Sequence, residues 1–309
     1  MQVFTRRLNS SEYVWGEKLK KISDKDITKA FFIFFNPNNL YLRRMSIIST
    51  KDLDIYFEKS APRKNGSILY IGGTAGDLRN KPNQLDFPLT EQFQIISYDQ
   101  RGLGQTEKPS GSYTMQQYAD DASNLLDELG IEQIPVMGVS FGGMVALELV
   151  KRHPSKVSRL VLACTSSGGA GGSSYPLHEL ELLDPEKKLE ASIKINDLRV
   201  TEEWIKEHRE IWDSMKQQAL SRNPFKPDTN NLLKQLMARK EHDVYESLEK
   251  INMPVLLMGG KYDGIAPISN MKALNEKIKD SVLKLYEGGH LFLIQDKNAF
   301  KDLENWLLN

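Results

Sequence analysis

From Met45 onward the chain alternates short apolar runs with longer stretches of helical spacing, and this constrains its fold more than any other feature. Ser67 to Ile71 and Gln94 to Tyr98 read as buried strands, and Ile134 to Gly138, Val157 to Cys164, Pro254 to Met258 and Val282 to Tyr286 read as further strands. Between them, helical patterns run from Tyr113 to Leu129, Phe141 to Arg152, Ser269 to Ile278 and Asn298 to Leu308. Gly130 follows the first of these, where a left-handed helix stop is expected. Strands and helices in strict alternation build βαβ units, because only a crossover helix can return the chain to start a parallel neighbour. The expected fold class is therefore α/β, a mostly parallel, doubly wound sheet with helices on both faces.

Three stretches depart from this rhythm. Ser46 to Thr50 and Leu53 to Glu58 read as an antiparallel hairpin around Lys51-Asp52. Between the strands at Leu160 and Val255 no strand pattern appears. A glycine- and serine-rich stretch, Ser166 to Ser174, is followed by helical patterns over His178 to Ala191, Thr201 to Leu220 and Asn230 to Leu248. We expect an all-helical insertion over 166–249, joined by a flexible glycine hinge to a core built from 45–165 and 250–309. Residues 1–44 have no clear period and carry an excess of Lys and Arg over the acids Glu12, Glu17, Asp24 and Asp26. Such acids are unusual in organelle-targeting peptides, so this segment is expected to be a loosely attached extension or the product of an early start codon.

Composition narrows the partners. The 41 basic and 41 acidic residues balance, which argues against a nucleic-acid binder needing a basic excess to meet phosphates. The longest early apolar run, Ala30 to Phe35, is far too short to span a membrane and lacks a cleavage site for secretion. The lone Cys164 excludes an internal disulfide or a zinc cluster and suits a reducing compartment. The expectation is a cytoplasmic monomer or homodimer acting on a small molecule, with no cofactor, metal, nucleic acid or membrane partner.

The chemistry gathers at strand ends. Gly138-Val139-Ser140-Phe141-Gly142 matches G-x-S-x-G between a strand and a helix, the setting that thrusts a serine out on a strained turn. A serine hydroxyl attacks only if a base takes its proton and a third group orients that base. Of five histidines, His153 ends a helix as a capping or surface residue, and His178, His208 and His242 fall in the insertion. His290 follows a strand on the turn Gly288-Gly289, at the same sheet edge as Ser140. Asp263 lies just past another strand, whereas the loop after Leu162 reads Cys164-Thr165-Ser166 and has no carboxylate. The order Ser140, Asp263, His290 is that of one hydrolase class. Oxyanion donors are expected from the backbone N–H of Phe141 and of Gly73, with Thr74 the alternative. Gly72 to Gly76 lacks the Gly-Lys-Ser/Thr of a phosphate loop.

Together the motifs GVSFG, YDQRGLGQT (Tyr98 to Thr106), GGKYDGIAP (Gly259 to Pro267) and EGGHLFLIQD (Glu287 to Asp296) resemble the α/β-hydrolase fold family with a helical cap, over Met45 to Asn309. The last two are similar to those of its enol-lactonase, esterase and proline iminopeptidase members. The resemblance implies a serine hydrolase acting on a small, largely apolar carboxylic ester or lactone through an acyl-enzyme. Ser140 excludes the aspartate-nucleophile dehalogenases and epoxide hydrolases of this fold. Ile71 stands where the family usually has histidine, a change expected to alter packing more than catalysis. A proline iminopeptidase is the alternative, with Glu202, Glu203, Glu207 and Glu210 as candidates to hold a free amine. A non-catalytic small-molecule receptor is a further one. Trp204, His208 and Trp212 recur at four-residue spacing, and the two tryptophans are candidate substrate contacts beside Thr74, although packing is the plainer role.

Overall fold

A computed structural model describes residues 44–309 apart from 223. The expected N-terminal extension lies outside the described residues except for Arg44, which opens the first strand. The strands are β1 (Arg44–Ser49), β2 (Asp54–Lys59), β3 (Ser67–Ile71), β4 (Gln94–Tyr98), β5 (Ile134–Val139), β6 (Val157–Ala163), β7 (Val255–Gly260) and β8 (Val282–Tyr286). They form one eight-stranded sheet in the order β1-β2-β4-β3-β5-β6-β7-β8. β1 and β2 pair antiparallel, as does β2 with β4, and every pairing from β4 through β3 to β8 is parallel.

Helices α1 (Met115–Glu128) and α2 (Phe141–Arg152) pack on one face, joined later by α8 (Ile268–Lys277), with α9 (Phe292–Gln295) and α10 (Asn298–Leu308) on the other. α1 shows why these boundaries are legible. Thr114 accepts the N–H of Gln117 while the Gln117 side chain accepts the N–H of Thr114, a reciprocal cap that fixes the first turn. The central parallel strands β3 and β4 are almost wholly buried, which is why they read as apolar runs, whereas the edge strand β8 is buried only at Tyr286.

The helical block comprises α3 (Leu177–Leu180), α4 (Pro185–Asn196), α5 (Glu202–Glu207), α6 (Arg209–Arg222) and α7 (Thr229–Lys240). Two long helical patterns are shorter than expected. The run over Thr201 to Leu220 breaks at His208, whose Nδ1 lies 2.9 Å from the Trp204 carbonyl oxygen and so competes with the backbone for that acceptor. The run over Asn230 to Leu248 stops at Lys240. Val244 and Leu248 beyond it pack into the main core rather than the block.

The glycine stretch is not a flexible hinge. Gly168 pairs with Asp243 in a β-bridge, and a Cβ on Gly168 would meet the His242 carbonyl oxygen at 1.8 Å. Thr165, Ser166 and Ser167 are buried. These glycines allow close approach of two backbones, and that packing removes the freedom their composition suggested. Among the described residues no helix is long and apolar enough to cross a membrane.

Candidate active site

The loops after β3, β5, β7 and β8 converge at the carboxyl edge of the sheet, where open α/β sheets form crevices. Ser140 sits between β5 and α2 with φ 56° and ψ −118°. A residue other than glycine holds such a backbone only when its surroundings over-determine it. Here the Ser140 N–H donates to the Ala163 carbonyl at 2.8 Å, and the Thr165 hydroxyl donates to the Ser140 carbonyl at 2.7 Å. Gly142 is required by space: a Cβ there would come within 2.1 Å of the Ile71 carbonyl oxygen. Ala75 and Cys164 also have positive φ. Three of the four non-glycine residues with positive φ among those described thus flank this edge, so the strain is concentrated at one site.

Around Ser140 the expected partners assemble. His290 Nε2 is 2.9 Å from Ser140 Oγ, and His290 Nδ1 is 2.8 Å from Asp263 Oδ2. The other Asp263 oxygen accepts the N–H groups of Ile265 at 2.8 Å and Ala266 at 2.9 Å. Buried and acceptor-only, the carboxylate requires the proton on Nδ1, so that in the neutral imidazole Nε2 is left to accept from the serine hydroxyl. Burial alone would push the His290 imidazolium down. Neighbouring Cys164 and the Asp263 carboxylate outweigh it, raising the pKa to about 10. A carboxylate-held imidazole bonded to a hydroxyl can carry that hydroxyl's proton away. Cys164, Asp263 and His290 are close enough to share a metal ion, but both ring nitrogens of His290 are already engaged.

Gly73 lies against Ser140: a Cβ on it would stand 3.6 Å from that of Ser140. Phe141 is the first residue of α2, so its N–H has no intrahelical acceptor. Thr74 Oγ1 is buried without a hydrogen-bond partner among the described residues.

Trp204 and Trp212, candidate substrate contacts, belong instead to the block's own small core. Trp212 is 2 % exposed and packs with Ile193, Val200, Ile205 and Met215; Trp204 lies against this cluster and stacks on His208. Glu202, Glu203, Glu207 and Glu210 are exposed, and Glu202 pairs with Lys194. His153 caps α2 and lies 2.7 Å from Asp120.

Several residues that hold the site together escaped motif reading. Gln100 donates from Nε2 to the Gly72 carbonyl at 2.7 Å, tying the loop after β4 to the one after β3. Asp99 accepts the N–H groups of Leu78 and Gln105, and burial raises its pKa to about 6 against those bonds. Arg101 makes a buried two-pronged pair with Asp121. The signal was present as Tyr98 to Thr106, but only the folded loop reveals what each side chain grips. The end of α4 is also unannounced: Asn196 accepts the His290 N–H at 2.6 Å, and Ile195 accepts the Gly264 N–H at 3.0 Å. Gln295 links Asp197 to the Gly289 N–H. The block therefore touches the loops of both His290 and Asp263.

Comparisons with known proteins bear on the fold and the class of chemistry. A family model described as the alpha/beta hydrolase fold matches residues 66–190. A protein provisionally named carbamate hydrolase RutD, from Agrobacterium fabrum, is 29% identical over 76% of this chain and 89% of its own length. The 3-oxoadipate enol-lactonase 2 of Acinetobacter baylyi is 26% identical over 82% of this chain and 92% of its own. The structure of an esterase from Exiguobacterium antarcticum superposes with a TM-score of 0.69 at 20% identity, covering 86% of this chain and all of that one. Its sheet order, its strained serine turn and these relatives give the chain the α/β-hydrolase fold and make it an enzyme similar to hydrolases of that fold.

Proposed function

We propose that this hydrolase cleaves a small carboxylic ester or lactone through an acyl-enzyme, in the reducing cytoplasm, with the helical block over 166–249 acting as a cap above the crevice. The observation that carries the reading is the unbroken chain from Ser140 Oγ through His290 to Asp263, with links of 2.9 and 2.8 Å. Ser140 attacks the carbonyl carbon as His290 Nε2 takes its proton, and Asp263 holds the imidazolium in place. The N–H groups of Gly73 and Phe141 receive the oxyanion. His290 then protonates the leaving alkoxide, and a water activated by the same nitrogen releases the acid and restores Ser140. The resemblance to an enol-lactonase by sequence and to an esterase by fold supports ester or lactone chemistry. The aminopeptidase alternative finds no support in the cap carboxylates, which face solvent.

Mass spectrometry after fluorophosphonate treatment tests the reading. One adduct on Ser140, absent in Ser140→Ala, is the expected result. A folded protein that takes no adduct would overturn it.

A further inference from the structure

The inner face of α7 carries two buried polar side chains one turn apart that protein atoms satisfy only in part. Gln235 is 0% exposed; its Oε1 accepts the Ala75 N–H at 2.9 Å, and its Nε2 has no acceptor among the described residues. Arg239 is 6% exposed and donates from Nη1 to the Tyr175 carbonyl at 2.6 Å, while Nε and Nη2 are unpartnered among the described residues. No carboxylate among those residues pairs with this guanidinium, and burial without a counter-charge lowers its pKa to about 10.

Both side chains are tied to the site. Ala75, held by Gln235, lies two residues beyond Gly73, which packs against Ser140. Tyr175, held by Arg239, donates its N–H to the Ile265 carbonyl at 2.7 Å, and the Ile265 N–H in turn donates to Asp263. One helix face thus bridges the oxyanion loop and the acid loop. The free groups on that face, Arg239 Nε and Nη2 and Gln235 Nε2, are all donors, and the neighbouring Thr74 hydroxyl is free to donate as well. A buried arginine lacking a carboxylate is costly unless something negative meets it. Planar donors in a fork match a carboxylate best.

We infer that the substrate carries a carboxylate at the end remote from the scissile bond, received by Arg239 and Gln235. This rests on the ester or lactone reading above and refines the largely apolar substrate expected from sequence to one with a charged end.

The test compares monomethyl succinate, glutarate and adipate with methyl butanoate, pentanoate and hexanoate, pairs in which a terminal carboxylate replaces a methyl group. The expected result, at one chain length or more, is a kcat/KM about 10- to 100-fold higher for the acid, the range of a charge-assisted hydrogen bond. Arg239→Met should lower the acid-to-neutral ratio by that factor, and Arg239→Lys should recover part of it. A ratio that Arg239→Met leaves unmoved, with both substrates falling together, would make Arg239 a packing residue and overturn the inference. So would a wild-type preference for the methyl-ended ester at all three lengths. Calorimetric binding of the matching diacids to Ser140→Ala protein separates the two claims, because it needs no turnover. Diacid binding that is lost when Arg239→Met is added would sustain the carboxylate site even if Ser140 proved unreactive. Absence of binding by all three diacids would sink it even if Ser140 took the fluorophosphonate.

Discussion

The sheet edge and the helical block solve different problems with different materials. At the edge, position is imposed through the backbone: Ser140 at φ 56° is held by bonds on both sides, and Gly142 fits where no Cβ could. In the block, cohesion comes from a small cluster around Trp212, and large apolar side chains such as Leu182, 86% exposed, are left in water. At the edge, the hydrogen bonds on both sides of Ser140 and the lack of room at Gly142 leave the turn little choice of conformation. The two are nevertheless coupled where Asn196 and Asp197 reach the His290 loop.

Four measurements would break or sharpen this contrast. Asp263→Asn removes the acceptor that fixes the tautomer, and kcat for a responsive ester should fall on the order of 10⁴-fold with little change in KM; a fall under about tenfold would mean that His290 is oriented by something else. Gly142→Ala forces backbone apart at the edge and should cost about 3 kcal/mol, read as a Tm lower by about 5–10 °C. An unchanged Tm would show the edge to be softer than its geometry implies.

The pH profile comes next. Reaction needs neutral His290, whose folded pKa lies above its ordinary 6.5, so kcat/KM should climb with pH on a limb placed above 6.5. Stability runs the other way: the contribution of protonated His290 is full below 6.5 and is lost as pH rises through about 10. A rising limb centred at or below 6.5 would contradict this electrostatic account. The smallest effect belongs to the block's surface, where Leu182→Ser should change stability by no more than about 0.5 kcal/mol in denaturant melts. A larger loss would indicate that this exposed leucine is covered in solution.

What could be read in advance followed from periodicity and glycine spacing. β3, β4 and β8 and the helices α2 and α10 lie where the patterns put them, because burial on one or two faces leaves a period that composition cannot hide. Ser140, His290 and Asp263 were legible because each sits just beyond a strand in a turn that only certain residues can make. The glycine stretch misled for a related reason. Gly168 signals conformational freedom in sequence, yet here it permits contact with His242.

By itself, then, the sequence determined the α/β class and the sheet edge where Ser140, Asp263 and His290 come together. Both arise from local spacing and backbone permission. Only the tertiary structure decided that Trp212 is core, that Gln100 and Asp197 brace the loops, and that Arg239 is buried with no carboxylate partner among the described residues. Such facts depend on which distant residues meet. An arginine on a helix reads the same whether it points to water or to an interior with no counter-charge.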